Sequence, residues 1–426
     1  MLAALPILVA GALWSATPGP VDFRLEKAKA LVTEGSLAEA RTVLQELKRQ
    51  YPDSNDVDFL LGLVALEAED FDRSINHFRS ILVRDPGSVR VRLELGRAFY
   101  LKRDYPNALR QFQFARAGNP PPPVVANIDR FLAAIRRDKN WSYSFGAAIA
   151  PDSNINNGSA TGEVILFGLP FKLSDDARDR SGVGLAIEGS AEFAPRISRN
   201  SRMRLGAAMQ RREHKGGRFD DMTIAVHAGP RTVKGRWDAS VLATAFQRRF
   251  GPARLNEGVG AKIEVAYYSD SRTAIMLGLG AYAVRYPEHR LHDGTLYLLS
   301  AGAVRALTPS SSATARIAVV RTGAKAPHLA SWSGSVAAGY QRDLAGGFTL
   351  SVEPSYSHSR YDAPDSIFDR KRIDHQLELR ITTLNRRLVV RGFTPRIGVT
   401  LVRRRSTIEL YDFNQRRLEL GLTSAF

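Results

Sequence analysis

The sequence contains no cysteine among its 426 residues. This absence excludes a disulfide framework, a thiolate zinc site and a catalytic thiol. It also excludes acylation of an N-terminal lipobox cysteine, so we expect any export of this chain to be as an unlipidated protein.

Long uncharged apolar runs are scarce. Runs such as 273–284 are shorter than the roughly 18 residues that a membrane-spanning helix needs, which excludes a helical membrane protein. The apolar block Met1–Ala16, followed by the sequence TPGP, predicts a secretory signal and leader over residues 1–20. Cleavage after Ala16 or after Ala12 fits the pattern, and a buried N-terminal helix is the alternative that Pro6 disfavours.

Enzyme motifs are also missing, since the chain has no Walker A run, no His-Glu-x-x-His and no Gly-x-Ser-x-Gly. His358 and His375 fall on neighbouring predicted strands, where ordinary lumen or loop residues are a better interpretation than a phospholipase-like triad. The acidic pairs 175–176 and 220–221 are interpreted as solvated loop charges, with calcium binding as a lesser alternative. We therefore predict no catalytic residue, no metal site and no cofactor.

The net charge is +17, and most of the excess lies after residue 140. Nucleic-acid binding is disfavoured because aromatic side chains are not interleaved with the basic clusters as stacking platforms require. Two of these clusters, 370–372 and 403–405, lie near predicted long loops and suit contact with anionic lipopolysaccharide.

A repeat of 34 residues organises the first third of the chain. Pro52, Pro86 and Pro120 recur at this period, and the small residues Ala28, Gly62 and Gly96 recur with them. This is the tetratricopeptide pattern, in which small residues let two helices approach closely. We predict repeats at 21–54, 55–88 and 89–122, a stiff extended spacer at Pro120–Pro123, and a capping helix over Val125–Arg137. Together they form a predicted domain over residues 21–139.

The first helices of the repeats are expected to present a mixed set of side chains to a concave groove, which suits a segment of a client protein. The set comprises Asp22, Lys29, Phe59, Leu63, Arg90, Arg97 and Tyr100. Arg90 and Arg97 lie two helical turns apart, so they could hold an acidic stretch of a client. The alternatives are a solvated basic face, and repeats that only brace a neighbouring domain.

From Trp141 the hydrophobic period changes to two. Val183, Leu185 and Ile187, for example, alternate with Gly184, Ala186 and Glu188, which suits a β-sandwich and a membrane barrel alike. The connections favour the barrel because they alternate short and long. Short ones are expected at 198–200, 234–235, 269–271, 345–347 and 385–386, and long ones at 153–180, 213–219, 249–256, 286–293 and 361–370.

We therefore predict an antiparallel transmembrane barrel of about 14 strands over residues 140–426, following the α-solenoid, with both barrel ends and the repeats in the periplasm. The final strand alternates Leu418, Leu420 and Leu422 with polar residues and Gly421, and Phe426 follows it. A terminal aromatic after such a strand resembles the signal that directs outer-membrane barrel assembly. A soluble all-β domain is the alternative.

The junction between the two regions carries a recognisable motif. The strand that begins WSYSFG at Trp141 continues into a turn, and the motif residues are Trp141, Pro151, Asp152, Ser153, Asn154 and Asn156. This motif resembles the start of the barrel in the surface lipoprotein assembly modulator (Slam) family. The resemblance implies tetratricopeptide repeats joined to a 14-stranded barrel, and delivery of surface lipoproteins or soluble secreted proteins across the outer membrane. From the residues alone, the turn is bonded by its own side chains, or it serves gating or client contact.

The expected function is therefore an outer-membrane translocator. Its expected partners are the exported client, periplasmic chaperones, the barrel assembly machinery and outer-membrane lipid including lipopolysaccharide, with a monomeric barrel. The alternative is an exopolysaccharide export porin or a passive channel. The expected inward positions disfavour a sugar conduit because they mix charges without an aromatic track; they include Glu188, Arg204, Gln376, Glu378 and Arg380.

Overall fold

The computed structural model describes residues 23–138, 140–166, 169–390 and 392–424. The expected signal and leader at 1–20, the groove residue Asp22 and the terminal Phe426 lie outside the described residues.

Seven α-helices are found in the described part of the chain. They are α1 (Phe23–Glu34), α2 (Leu37–Gln50), α3 (Asn55–Glu67), α4 (Phe71–Arg84), α5 (Val89–Leu101), α6 (Tyr105–Ala117) and α7 (Pro122–Asp138). Two helices fall within each predicted repeat, as the 34-residue period predicts, and α1 packs against α2 as α5 does against α6. None of the described helices is long and apolar enough to cross a membrane.

The chain forms two compact units, of which the first ends at His77 and the second begins at Phe78. The core of the first unit contains Ala28, Leu44 and Leu61, which are buried between α1, α2 and α3. Asp58 of α3 is also buried, and its carboxylate lies 2.7 Å from the Lys48 ammonium and 3.1 Å from His77 Nδ1.

The second unit contains α5, α6 and α7 as well as the strands. A side chain at Gly96 would lie only 3.0 Å from the Phe112 ring, which explains the small residue that the repeat pattern predicts there. Phe112 stacks on Phe131 of α7 with ring centroids 4.9 Å apart.

The prediction of an extended spacer at Pro120–Pro123 is wrong, because α7 already begins at Pro122. Proline fits the first turn of a helix, where its missing N–H has no intrahelical partner to lose.

The strands begin directly after the helices. They are β1 (Trp141–Asp152), β2 (Glu163–Leu166), β3 (Leu169–Lys172), β4 (Gly182–Phe193), β5 (Ser201–His214), β6 (Asp221–Lys234), β7 (Trp237–Phe250), β8 (Ala253–Asp270), β9 (Thr273–Arg285), β10 (Gly294–Thr308), β11 (Ser311–Thr322), β12 (Ser331–Asp343), β13 (Phe348–Pro364), β14 (Lys371–Asn385), β15 (Thr394–Ser406) and β16 (Phe413–Thr423).

Fourteen of these strands, as far as the chain is described, form one closed antiparallel barrel in the order β1-β16-β15 and onward to β4. Strands β2 and β3 form a separate hairpin within the connection between β1 and β4. The predicted barrel is thereby confirmed. One predicted long loop, 249–256, is wrong: β7 and β8 continue through it and are joined by Gly251 and Pro252, with Gly251 at φ +57°. The short connection predicted at 385–386 is also wrong, because β14 ends at Asn385 and β15 begins only at Thr394.

The outer surface of the barrel is apolar, and aromatic side chains mark both of its ends. The rings of Trp237 and Tyr267 contact each other near the short turns, whereas Trp332 and Tyr297 lie near the opposite rim. An apolar band between two aromatic girdles on a closed barrel is the architecture of an outer-membrane protein.

Candidate functional site

The lumen of the barrel is lined by side chains of both charge signs that pair with one another. Arg204 lies 2.7 Å from both Glu192 and Glu264, and Arg396 lies 3.0 Å from Glu188 and 3.1 Å from Glu419. Inward-facing residues from non-adjacent strands are therefore cross-linked electrostatically, and the wall carries little unpaired charge in these places.

A cavity of about 910 Å³ in the second unit is lined by residues of β4 to β14. Five helix residues line the same cavity: Tyr105, Pro106 and Leu109 of α6, and Ile135 and Arg136 of α7. Helix residues and strand residues therefore line the same cavity. Helices α6 and α7 lie across the end of the lumen that is near the short turns.

Two arginines on the barrel wall hold the C-terminal end of α7. Arg202 of β5 donates to the Arg137 carbonyl oxygen at 2.8 Å, and Arg231 of β6 donates to the Arg136 carbonyl oxygen at 3.3 Å. Cations suit this position because the last carbonyls of a helix carry partial negative charge. The Arg136 guanidinium in turn packs 4.6 Å from the centre of the Tyr268 ring of β8.

On the other side of the barrel rim, Asp343 is surrounded by three arginines. It accepts hydrogen bonds from Arg92 of α5 and Arg110 of α6, both at 3.0 Å, and lies 3.3 Å from Arg386 in the β14–β15 connection. Thr349 Oγ1 donates to the same carboxylate at 2.9 Å. We call Arg92, Arg110, Asp343 and Arg386 the Asp343 cluster.

The Asp343 cluster is withdrawn from water, since the side chains of Arg92 and Asp343 are 0% and 1% exposed. Burial lowers the pKa of the Arg92 guanidinium to about 10, an effect that the Asp343 carboxylate opposes, so Arg92 stays charged at neutral pH. Burial likewise lowers the pKa of Arg386, again against the attraction of Asp343. A single carboxylate thus balances three buried or half-buried cations.

An apolar contact accompanies these polar ones. Phe114 and Ala117 of α6 and Ala306 of β10 form one buried cluster, and the Phe114 ring also lies 4.8 Å from the Arg92 guanidinium. Helices α5, α6 and α7 therefore contact the barrel near its short turns. The barrel residues in contact lie on β5, β6, β8, β10 and β12 and in the β14–β15 connection.

The contact between β1 and β16 closes the barrel, and we call it the seam. Register pairs run from Gly146–Thr423 to Asp152–Arg417, but Ala150 and Pro151 have no partner on β16. On its other side β1 pairs with β4 along its whole length. Pro151 has no N–H to give, so the seam is the weaker of the two ladders of β1.

The motif residues after β1 tie the two strands of the seam together. The Asp152 carboxylate accepts from Arg417 Nε at 2.8 Å and from Gln415 Nε2 at 3.0 Å. Gln415 also donates to the Asn154 carbonyl oxygen at 2.8 Å, and Asn154 itself is fully buried. We call Asp152, Asn154, Gln415 and Arg417 the Asp152 cluster.

The remaining motif residues extend this bonding. Ser153 exchanges backbone and hydroxyl hydrogen bonds with the Arg416 backbone, while the Asn156 amide donates to the Asp176 and Arg178 carbonyl oxygens of the long connection. Trp141 begins β1 on the outer face, with its ring 4.5 Å from that of Phe193.

Gly421 of β16 permits the close approach of the two strands at the seam. A Cβ at this position would lie 2.1 Å from the Ala147 carbonyl oxygen and 2.5 Å from Ala148 Cβ. Any larger residue would have to push β16 away from β1.

Comparison with known proteins supports the same division of the chain into repeats and barrel. A family model described as "surface lipoprotein assembly modifier" matches residues 141–426, and tetratricopeptide models match residues 24–54 and 59–121. The chain belongs to the surface lipoprotein assembly modifier family. The resemblance drawn from the residues around Trp141 is thereby confirmed.

Relatives within the family are distant. Surface lipoprotein assembly modifier 1 of Neisseria meningitidis serogroup B is 22% identical over 234 residues, which are 54% of this chain and 46% of that protein. The surface lipoprotein assembly modifier of Pasteurella multocida is 20% identical over 400 residues, 89% of this chain and 78% of the relative. The hemophilin secretion modulator of Acinetobacter baumannii is 21% identical over 389 residues, 87% of this chain and 78% of the relative. The chain spans a little under half the length of the first two curated relatives that it matches.

The described residues of the predicted client groove lie on the first helices of the repeats, in both compact units. In the first unit, Lys29 pairs with Glu26 at 2.7 Å, Phe59 is 8% exposed and Leu63 packs against the core.

In the second unit, Arg90 is exposed, whereas the Arg97 side chain is 14% exposed and lies 3.7 Å from Glu94. Tyr100 packs edge-on against Phe131 of α7, with centroids 5.1 Å apart. Burial raises the pKa of Tyr100, so its hydroxyl stays neutral. These positions make Arg90 the more accessible cation of the predicted pair.

His358 and His375 were interpreted as lumen or loop residues, which is wrong. They pair across β13 and β14 on the outward face, and Tyr356 Oη lies 2.8 Å from His375 Nδ1. Ser357 and Ser359 point to the opposite face because successive strand residues alternate. In the residues that the structure describes, no group of three or more His, Asp or Glu could hold a metal ion.

Sequence reasoning missed the Asp343 cluster. A signal for it existed on α5, since Arg92 and the buried Asp58 occupy equivalent positions 34 residues apart in consecutive repeats, and both are charged where packing residues are usual. Nothing near Asp343 itself distinguishes it from the other carboxylates beside short turns.

Proposed function

We propose that this protein is an outer-membrane exporter, which delivers a surface lipoprotein or a soluble secreted protein to the cell surface. The observation that carries the proposal is the position of α6 and α7 across one end of a charged lumen, where the Asp343 cluster holds α6 and Arg202 and Arg231 hold α7. The repeat helices that cover the passage belong to a class that binds segments of other proteins. The names of the relatives refer to surface lipoprotein assembly and to secretion, and both agree with this proposal.

We propose that the short turns and the helices face the periplasm, as short turns do in outer-membrane barrels. In this orientation the repeat domain (21–139) meets the client before the barrel (140–426) does. Periplasmic chaperones and the barrel assembly machinery are the proposed partners on that side, and the barrel is proposed to act as a monomer.

Client contact is proposed to begin at the repeat groove and to end with displacement of α6 and α7. Arg90 offers an exposed cation for an acidic segment, Arg136 lines the lumen cavity, and Arg110 bonds α6 to Asp343 at the rim. A client that competes for these arginines would weaken the attachment of the helices to the rim. Client binding and displacement of the helices would then be coupled, because both involve the same arginines.

A passive porin is a poorer fit to the lumen. Porins keep a water-filled channel, whereas here helix residues line the cavity and paired charges such as Arg204 with Glu192 and Glu264 cross it. A polysaccharide exporter would favour stacked aromatic side chains along the path. The second lumen cavity, of about 300 Å³, is lined instead by arginines, acids and threonines, including Arg396, Glu188 and Thr400.

The test is deletion of the gene, followed by complementation and surface proteolysis of intact cells. Loss of specific proteins from the protease-accessible set, with their accumulation inside the envelope, is the expected result. Complementation with the full chain should restore them. Unchanged surface proteins together with a loss of surface polysaccharide would overturn the proposal in favour of sugar export.

A further inference from the structure

One sector of the outward barrel face is basic at the end opposite the helices. Its basic side chains lie on four consecutive strands, β13 to β16. They are His358, Arg360, His375, Arg403, Arg405 and Arg416, which we call the basic band.

The strand register places these side chains side by side. His358 is the direct partner of His375, and His375 is the direct partner of Arg405. Neighbouring strands are about 5 Å apart and alternate residues about 7 Å apart, so Arg360 and Arg403 extend this row at its two ends. Arg416 follows on β16, opposite Leu401. The band is therefore continuous across the sector.

The band is poorly neutralised by the protein itself. Within the described residues, Arg360, Arg403 and Arg416 have no ion-pair partner, and Arg405 lies 3.6 Å from Asp412. By contrast, the outward Arg211 of β5 is matched by Glu213 on the same strand. Unmatched cations on a lipid-facing surface imply a negative partner from outside the chain.

The same four strands become apolar towards the helices. Beyond Arg416 towards the helices, the outward residues include Ile381, Val399, Leu418, Leu420 and Leu422. A basic level above an apolar level matches a lipid with phosphate groups above its acyl chains.

We propose that this face of β13 to β16 is a binding site for the phosphate groups of lipid A in lipopolysaccharide. The inference uses the proposed orientation, in which the end opposite the helices faces the outer leaflet, and it goes beyond the export function. Arginines hold phosphate by charge-assisted, often bidentate hydrogen bonds, and the leucine surface packs against the acyl chains. Phosphate of a lipid is favoured over an acidic protein because the band lies directly above a lipid-facing apolar surface.

The test uses the purified full chain in detergent, titrated with bisphosphorylated lipid A and, separately, with chemically dephosphorylated lipid A. Binding is followed by native mass spectrometry and by the temperature at which the folded barrel unfolds on a gel. The variant carries Arg403→Gln and Arg405→Gln. The matched control is Arg211→Gln, which removes an outward arginine that already has an acidic neighbour.

The double variant should bind bisphosphorylated lipid A about thirtyfold more weakly, since each arginine near an anionic lipid surface adds about a fivefold gain. The control should bind like the wild type, and Arg403→Lys with Arg405→Lys should retain most of the binding. Equal binding of the double variant and the wild type would overturn the proposal. Equal binding of the dephosphorylated lipid would do the same, because acyl-chain packing alone would then explain the affinity. Gel mobility of the unheated protein shows that each variant is folded.

Discussion

Asp343, the last residue of β12, accepts hydrogen bonds from Arg92 of α5 and Arg110 of α6, both at 3.0 Å. This carboxylate joins the repeat helices to the barrel rim, 251 residues from Arg92 in sequence. Because Arg386 lies 3.3 Å away as well, one side chain holds three cations of separate elements in place. The attachment of the helices is thus concentrated at a point where one substitution can release it.

We predict that Asp343→Asn loosens α5 and α6 from the rim. Three arginines would lose their only close carboxylate among the described residues, and such a loss at a buried pair costs about 3–5 kcal/mol. The expected result is a larger conductance of the purified protein in planar bilayers, with the barrel still folded. Asp362→Asn is the control, since it breaks a pair with Arg321 at a more exposed site. A conductance equal to that of the wild type would show that the helices do not depend on Asp343.

At the seam, Asp152→Ala should lower the temperature at which the barrel unfolds. Arg417 and Gln415 would lose a shared acceptor where both are largely buried, which costs about 3 kcal/mol or more. The measurement is the gel-mobility transition of the detergent-solubilised protein. Asp175→Ala is the matched control because its side chain is 91% exposed. Equal transition temperatures for the two variants would mean that the Asp152 cluster does not hold the seam.

The close approach of β16 to β1 predicts that Gly421→Val prevents barrel closure. A side chain there would lie 2.1 Å from the Ala147 carbonyl oxygen. Little heat-modifiable protein should reach the membrane fraction, because the strands cannot pair. Gly334→Val provides the comparison, since a Cβ at this strand position has nothing within 4 Å. Normal assembly of the Gly421 variant would contradict the geometry of the seam.

For the groove, Arg90→Glu should weaken client binding without unfolding the repeats. Arg90 is exposed, and its attraction for an acidic client segment should fall as salt rises. Arg97→Glu is expected to behave differently, because it would place a second acid beside Glu94 at a site only 14% exposed. Circular dichroism separates the two: stability should drop more for Arg97→Glu than for Arg90→Glu. If the Arg90 variant binds the client as tightly as the wild type does at low salt, Arg90 does not belong to the groove.

The repeats and the barrel could be predicted from the sequence because both are periodic. A small residue every 34 positions identifies helix pairs whose packing is local, as Gly96 against Phe112 illustrates. Alternation of apolar and polar residues along a strand such as β4 identifies the apolar face of that strand. The register between neighbouring strands then follows, because a shift by one residue would turn the apolar residues to the other face.

The cover over the lumen could not be predicted in the same way. The partners of Arg92 and Arg136 are Asp343 and Tyr268, and their sequence separation leaves no periodic trace. Pro120–Pro123 suggested a rigid separation of the domains, yet α7 begins within it and reaches the barrel wall. The loop expected at 249–256 failed for a local reason, since a glycine with positive φ lets β7 and β8 turn in two residues.

The cysteine-free chain allows a direct test of the claim that α6 must leave the lumen for export. Ala117 of α6 and Ala306 of β10 share one buried cluster, so Ala117→Cys with Ala306→Cys should form a disulfide in the oxidising periplasm. The control pair, Ser144→Cys with Ser190→Cys, joins β1 to β4, where the two hydroxyls lie 2.8 Å apart. The decisive measurement is surface display of the client in cells that carry each pair, with and without a reductant. Display should be lost in the oxidised Ala117–Ala306 pair, should return on reduction, and should be unaffected by the control pair. Full display with the Ala117–Ala306 disulfide completely formed would contradict the account.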